Sequence, residues 1–121
     1  MPISYTMDDS ALTFTTVGDV DFAEGLAVLN DGMCRYEQSK PAQIRVLFDL
    51  TQSTENRSGE ELKYICHVVT QKLPGARIAL VVRSDLLYGL SRMFSAMAYG
   101  KVSDSQVFRS MTEAQAWLLA G

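Results

Sequence analysis

The chain has 121 residues, of which 47% are apolar and 21% are charged, and its formal net charge is −3. This size and apolar content are enough for one compact domain with a buried core, and the absence of a basic stripe argues against a nucleic-acid partner. No apolar run approaches the roughly 20 residues of a membrane-spanning helix, so we do not expect the chain to span a membrane.

The cellular compartment can be inferred from the two cysteines, Cys34 and Cys66, and from the N-terminal segment. Two cysteines are too few for a disulfide framework, and their spacing is not that of a metal clip. The first ten residues, MPISYTMDDS, lack the basic region and apolar block of a secretory signal. We therefore expect a cytoplasmic protein that needs no metal or other cofactor.

The N-terminal third changes from a strand pattern to a helix pattern at Asp21. Residues 3–7 and 11–17 alternate apolar and polar side chains around the turn sequence DDS, which predicts two half-buried strands. From Asp21 apolar residues recur at helical spacing, and Lys40-Pro41 marks the end of this first helix. The predicted apolar face comprises Phe22, Leu26, Leu29, Met33 and Tyr36.

Two apolar segments in the middle of the chain predict central strands. Residues 44–50, IRVLFDL, and 77–84, RIALVVRS, are dense in β-branched and apolar side chains, as in strands covered on both faces. The helix predicted between them stops at Pro74-Gly75. Its apolar stripe comprises Leu62, Ile65, Cys66, Val69 and Leu73.

The C-terminal third predicts a helix, an edge strand and a last helix. The third helix begins after Ser84 and closes at Gly100, with a stripe formed by Leu86, Leu87, Leu90, Met93, Phe94 and Met97. Residues 105–110, SQVFRS, predict the strand, and 111–119, MTEAQAWLL, predict a helix whose Trp117 packs against the sheet. The order β-β-α-β-α-β-α-β-α implies right-handed crossovers and a largely parallel sheet with an irregular N-terminal edge.

The last third of the chain also resembles a known family. IALVVRSDLLYGLSRMF and VFRSMTEAQAWL are similar to the strand–turn–helix and the terminal strand and helix of small SpoIIAA-like proteins in the STAS superfamily. The resemblance implies an α/β domain over residues 1–121, with a mixed, mostly parallel five-stranded sheet and four helices. It implies no reaction, because STAS proteins include anti-sigma-factor antagonists and transporter domains. We therefore expect a non-enzymatic module for regulation or protein–protein interaction.

The polar segment from Asp49 to Ser58 is a candidate regulatory loop. In the anti-sigma antagonists, an Asp-Leu-Ser-type segment is followed by Asp-Ser-Ser-Gly, which supplies the serine that a partner kinase phosphorylates. By resemblance, DLT at residues 49–51 matches the first segment and NRSG at 56–59 lies near the second, with two of its four positions in agreement. Ser58 is thus the phosphorylation candidate, and the alternatives in another register are Thr51, Ser53 and Thr54. Ser58 also fits a capping box with Glu61, which is a purely structural role.

Asp49 and Thr51 are candidate ligand groups at the end of a predicted central strand. Open α/β sheets place ligands at the carboxyl ends of their strands. An aspartate there can equally cap the backbone of the following turn. We favour the structural role for Asp49, because no second catalytic partner lies nearby in the sequence.

Helical phase leaves several large side chains outside the apolar stripes of the second and third helices. Tyr88 and Arg92 are i,i+4 neighbours that can stack. Exposed aromatic residues beside an arginine have the composition of a binding hot spot, for another protein or for a second copy of this chain. A tyrosine can also lie flat on its helix and expose only its hydroxyl. The interface candidates are Tyr64, Val68, Tyr88, Arg92 and Tyr99.

A second hypothesis is a small carrier that holds an apolar or lipid-like molecule between the sheet and the helices. Its predicted lining is Leu90, Met93, Phe94 and Met97, and it requires a cavity on the order of 300 Å3 or more. His67 is the single histidine and has no carboxylate or cysteine at ligand spacing, so we expect no metal site there. Cys66 is expected to be an inert core residue.

Overall fold

The nine predicted elements are present, in the predicted order, in a computed structural model that describes residues 2–54 and 56–120. The strands are β1 (Ile3–Met7), β2 (Leu12–Gly18), β3 (Arg45–Ser53), β4 (Arg77–Val82) and β5 (Asp104–Phe108). The helices are α1 (Phe22–Gln38), α2 (Gly59–Lys72), α3 (Asp85–Ala98) and α4 (Met111–Ala120). The predicted α/β class is confirmed. None of the described helices is both long enough and apolar enough to cross a membrane.

The five strands form one mixed sheet in the order β1-β2-β3-β4-β5. β1 is antiparallel to β2, and all other neighbouring pairs are parallel. Strands β2 to β5 therefore finish at one end of the sheet, and each is followed there by the start of a helix. We call this end the carboxyl end of the sheet, and in open α/β sheets it is where ligands commonly bind.

The central strands bury both faces because successive side chains point to opposite sides of the sheet. Val46, Ile78 and Leu80 belong to the main core beneath α1, α2 and α3. Leu47, Ala79 and Val81 face α4 and pack with Ala114 and Leu118. This two-sided burial explains the continuous apolar runs in the sequence.

Trp117 anchors α4 to the sheet, as predicted. Its ring lies 5.5 Å from the ring of Phe108 in β5, centroid to centroid. The Arg77 guanidinium carbon lies 3.7 Å from the Trp117 ring centroid, and Arg77 Nη2 donates a hydrogen bond to the Trp117 carbonyl oxygen at 2.8 Å. The cation–π contact and the hydrogen bond together fix the C-terminal helix over β4.

A close approach between α1 and β2 depends on Gly32, which is buried in the helix. A Cβ atom at this position would lie 2.8 Å from Cε1 and Cζ of Phe14 and 3.1 Å from Cδ1 of Tyr5. A glycine is therefore required for α1 to pack this closely on the aromatic side chains of β1 and β2.

Side-chain caps define where the helices begin. Asp21, Ser58, Ser84 and Ser110 each accept a hydrogen bond from the backbone N–H three residues later, over 3.1–3.3 Å. At Ser58 the Glu61 carboxylate also accepts from the Ser58 N–H at 3.0 Å, so the predicted capping box is confirmed. These bonds satisfy amide groups that have no partner within the helix.

The third strand is longer than its apolar segment predicted, and the polar loop is correspondingly shorter. β3 continues to Ser53 because β2 pairs with it beyond the apolar run, with Val17 opposite Gln52 and Gly18 opposite Ser53, after a register shift in β2. Asp49 and Thr51 therefore lie within the strand, and the described residues that connect it to α2 are 54 and 56–58. The prediction that the loop starts at Asp49 was wrong, because backbone pairing with β2 outweighs the polarity of these side chains.

The buried face of α3 is narrower than predicted. Leu86 and Met93 are 52% and 48% exposed, whereas Leu87, Ser91, Phe94 and Ala98 are buried. The small side chains of Ser91 and Ala98 therefore form part of the inner face of α3. The prediction that Leu86 and Met93 are core residues was wrong, since apolar size alone does not fix which side of a helix faces inward.

Candidate functional site

Asp49 and Thr51 interact with each other on the face of β3 that also carries Leu47. The Asp49 carboxylate accepts hydrogen bonds from the Thr51 backbone N–H at 3.1 Å and from the Thr51 hydroxyl at 2.7 Å. Both side chains are half-buried. The aspartate thus has the local, backbone-capping geometry that its structural interpretation requires.

Ser58 lies at the start of α2 with an exposed side chain. Its Oγ accepts from the Glu61 N–H at 3.1 Å. Among the alternatives in the same segment, Ser53 is only 8% exposed, while Thr54 is exposed and donates to the Asp19 carboxylate at 2.9 Å. Accessibility therefore favours Ser58 and Thr54 over Ser53 as sites of modification.

Tyr88, Arg92, Arg109 and Asp85 form a compact surface group that we call the Tyr88 cluster. The guanidinium carbons of Arg109 and Arg92 lie 4.6 and 5.9 Å from the centroid of the half-buried Tyr88 ring. Arg92 Nη1 also donates to the Tyr88 hydroxyl at 3.4 Å. Arg109 is held in place by the Asp85 carboxylate at 2.8 Å and by the Arg83 carbonyl oxygen at 3.2 Å. The predicted Tyr88–Arg92 pair is thus in contact, and it is joined by Arg109, which had not been predicted from the sequence.

The remaining interface candidates are not brought together with Tyr88. Ser95, on the same flank of α3 as Tyr88, contacts Ser105 of β5, so this flank faces the β5 side of the sheet. Tyr64 instead lies 6.2 Å from the Phe22 ring of α1, and α2 packs between α1 and α3. Tyr99 is 88% exposed but follows Tyr88 by eleven residues, or about 16 Å along the helix axis.

Val68 also lies apart from the Tyr88 cluster. It is half-buried and packs against the main core. The interface candidates therefore do not form one continuous patch.

An apolar cavity of about 110 Å3 lies between the sheet and helices α1, α2 and α3. Of the four predicted lining residues, Leu90 and Phe94 line it, whereas Met93 is exposed and Met97 packs against the main core outside the lining. Its walls include Phe14, Leu29, Phe48, Leu62 and Leu80. The lining also includes Thr16, Leu50 and Leu80 from the carboxyl halves of β2, β3 and β4, so the cavity extends toward the same end of the sheet as Ser58 and the Tyr88 cluster.

Among the described residues, three polar side chains interrupt the apolar wall of this cavity, and none of them was predicted from the sequence to line it. Thr16 is 5% exposed, and its hydroxyl has no hydrogen-bond partner among the described residues. Ser91 is 3% exposed and lines the opposite wall on α3. Arg57 donates to the Val20 carbonyl oxygen at 2.6 Å and lies over the Phe22 ring at 5.4 Å. Thr16 lies on the same face of β2 as Leu12 and Phe14, so its inward-facing position was predictable from the alternation of side chains along the strand.

The described cysteines and acidic residues do not suggest a metal site. Among the residues that the structure describes, no group of three metal-binding side chains converges. Cys66 is 3% exposed, and burial raises the pKa of its thiol. Lys72 Nζ lies 3.2 Å from Cys34 Sγ, and this hydrogen bond raises the pKa of Lys72. Cys66 is therefore a core residue, as predicted, with a thiol that resists ionisation.

Comparison with known proteins supports the fold. No protein-family model matches the chain, and no curated protein matches it. A crystal structure of an uncharacterized protein from the DUF3478 family, with a SpoIIAA-like fold, from Shewanella loihica PV-4 matches over 96% of this chain and 91% of that chain. The TM-score is 0.64 and the sequence identity is 15%. This similarity confirms the predicted SpoIIAA-like fold.

Proposed function

We propose that this SpoIIAA-like chain is a non-enzymatic, cytoplasmic STAS-type module that regulates by binding another protein. The observation that carries the proposal is the Tyr88 cluster, which combines an aromatic ring with two arginines at the carboxyl end of the sheet. Tyrosine and arginine are enriched among the residues that dominate binding energy at protein interfaces. The fold adds support, because the STAS proteins that the sequence resembles include anti-sigma-factor antagonists.

The contacts within the Tyr88 cluster suit it to binding. Arg109 is already oriented by Asp85 and Arg83, so less side-chain freedom is lost when a partner docks. Arg83, Arg92 and Arg109 are all exposed, which gives this area a locally positive character on a chain whose net charge is −3. A partner surface with a carboxylate or an aromatic group would complement it, either on another protein or on a second copy of this chain.

Phosphorylation of Ser58 is a further part of the proposal. A phosphate on Oγ would lie at the N-terminus of α2, where free amides and the helix dipole favour negative charge. It would also meet Glu60 and Glu61 in the first turn and displace the Glu61 side chain from the capping box. Arg57, the residue before Ser58, can pair with this phosphate only by leaving the Val20 carbonyl oxygen, so we expect the modification to move the Arg57 side chain.

Intact-mass analysis after incubation with the kinase of the source cell tests the switch. We expect one added phosphate on the natural chain and none on Ser58→Ala. Thr54→Ala serves as the matched control, because Thr54 is an exposed hydroxyl in the same connection, and it should still be modified. A mass increase that persists in Ser58→Ala would exclude Ser58 as the acceptor.

Affinity capture from the source cell, with quantitative mass spectrometry, tests the interaction surface. We expect a defined partner to be retained by the natural chain and by Gln71→Ala, an exposed position on α2 away from the cluster. The double variant Tyr88→Ala/Arg92→Ala should lose it. Sedimentation analysis of the same three proteins distinguishes a foreign partner from self-association. Equal retention by all three would rule out the Tyr88 cluster as the contact.

A second candidate function, favoured by the apolar cavity, is binding of an apolar small molecule between sheet and helices. The cavity of about 110 Å3 is smaller than the pockets on the order of 300 Å3 that hold lipid- or drug-sized ligands. The candidate is therefore restricted to molecules much smaller than a lipid. A titration of the protein with a short apolar molecule, monitored by NMR, tests this candidate function.

A further inference from the structure

We propose that the cavity binds a small neutral molecule, about the size of one six-membered ring, that carries one hydroxyl or comparable hydrogen-bonding group. This inference rests on the second candidate function and specifies its ligand class. Three features support it: the cavity volume, the unpartnered Thr16 hydroxyl, and the contacts that already engage the charged side chain of Arg57.

The volume sets the ligand size. An apolar cavity of about 150 Å3 in another protein binds benzene, and the cavity of about 110 Å3 here falls just below that volume. The walls are almost entirely aliphatic and aromatic, with Phe14, Phe48 and Phe94 on three different elements. A single ring or a short branched chain fits, whereas a fatty acyl chain does not.

The Thr16 hydroxyl sets the polarity of the ligand. A buried hydroxyl normally has a hydrogen-bond partner, but Thr16 Oγ1 has none among the described residues, although Thr16 is only 5% exposed. A hydroxyl can both donate and accept, so it can pair with an alcohol, a phenol or an ether oxygen. Thr16 also lies at the carboxyl end of β2, directly on the cavity wall.

The position of Arg57 favours a neutral ligand over an acid. It is the charged residue among the described residues that line the cavity. Its guanidinium already contacts the Val20 carbonyl oxygen at 2.6 Å and the Phe22 ring at 5.4 Å. A carboxylate packed against the apolar walls would have to draw the guanidinium out of these contacts or be desolvated without a cation, and both are unfavourable.

The experiment is an NMR titration of the isotope-labelled natural chain with phenol, toluene and benzoate. Molecules of about seven to nine non-hydrogen atoms are expected to bind with Kd on the order of 0.1–1 mM. We expect phenol and toluene to shift resonances of cavity residues such as Leu29 and Leu80, and benzoate to bind at least about 10-fold more weakly than phenol, as desolvation of an unpaired charge requires. Benzoate as the tightest probe would overturn the neutral class.

Substitutions at Thr16 separate the polar contact from simple burial. Thr16→Val keeps the shape but lacks the hydroxyl, so phenol affinity should fall about 5- to 10-fold while toluene affinity is unchanged or rises. Thr16→Ser keeps the hydroxyl, so its affinity for phenol should stay close to that of the natural chain. If Thr16→Val affects both probes equally, the assigned ligand class is wrong but small-molecule binding stands.

A cavity-filling variant locates the site. Ser91→Leu places a larger side chain on the inner face of α3 and should abolish the shifts caused by all probes. Shifts that survive this substitution would place the probes elsewhere and overturn the proposal. If no probe shifts any cavity resonance of the natural chain, both the ligand class and the second candidate function are wrong.

Discussion

Thr16→Val should stabilise the protein, although most substitutions in a core destabilise. A buried hydroxyl without a partner costs about 1–3 kcal/mol, and we expect removal of the Thr16 hydroxyl to recover at least the lower end of that range. The additional methyl group contributes up to about 0.8 kcal/mol of burial. We expect a gain of about 1–2 kcal/mol in the free energy of unfolding, and a rise in Tm of about 3–6 °C per kcal/mol.

Thr70→Val is the matched control, because Thr70 is 6% exposed and Thr16 is 5% exposed. Unlike Thr16, the Thr70 hydroxyl donates to the carbonyl oxygens of Cys66 at 2.9 Å and His67 at 3.2 Å. Its removal should lower the free energy of unfolding by about 0.5–1.5 kcal/mol. Urea denaturation of both variants measures the difference. If Thr16→Val destabilises as much as Thr70→Val, the Thr16 hydroxyl has a partner and our account of the cavity is wrong.

Three further predictions concern a helix cap, a close approach and the thiols. Ser58→Ala should lower the free energy of unfolding by about 1 kcal/mol and Ser58→Asp should change it little, because aspartate keeps the cap; urea denaturation measures both. Gly32→Ala should destabilise the protein by up to about 2 kcal/mol, because the added Cβ would clash with the Phe14 ring. The control Gly89→Ala has open space around the added Cβ and should stabilise the protein by about 0.5–1 kcal/mol. Equal effects would contradict the packing of α1. A thiol reagent at pH 8 should label the half-buried Cys34 in the native protein but the buried Cys66 only after unfolding. The reason is that burial raises the pKa of the Cys66 thiol. Equal labelling rates of the two cysteines in the native protein would contradict this prediction.

The element order was predictable from the sequence because local signals agree along most of the chain. Apolar periodicity identified the helices, continuous apolar runs identified β3 and β4, and serine or aspartate at the cap positions marked where helices begin. The Ser58–Glu61 box is such a local signal, since both partners lie within one turn. The two central strands were recognisable for the same reason, because burial on both faces leaves a dense apolar run.

Features that depend on a distant neighbour were not predictable. β3 continues to Ser53 because β2 pairs with it there, and nothing within residues 49–53 specifies that partner. Arg109 reaches Tyr88 from beyond β5, across 21 positions of sequence. The cavity likewise depends on how α1, α2 and α3 leave space beside Thr16, which no single segment encodes.

Photo-crosslinking in the source cell tests the central claim most directly, namely that this chain acts through contact at the Tyr88 cluster. Benzoylphenylalanine placed at position 89 lies beside the cluster, and a Cβ atom there meets no atom within 4 Å, so Tyr88, Arg92 and Arg109 stay intact. The same group at position 71, an exposed site on α2, is the control. We predict a discrete covalent adduct from position 89 that is absent from position 71 and is lost on Tyr88→Ala. No adduct from position 89, or equal adducts from both positions, would contradict the claim.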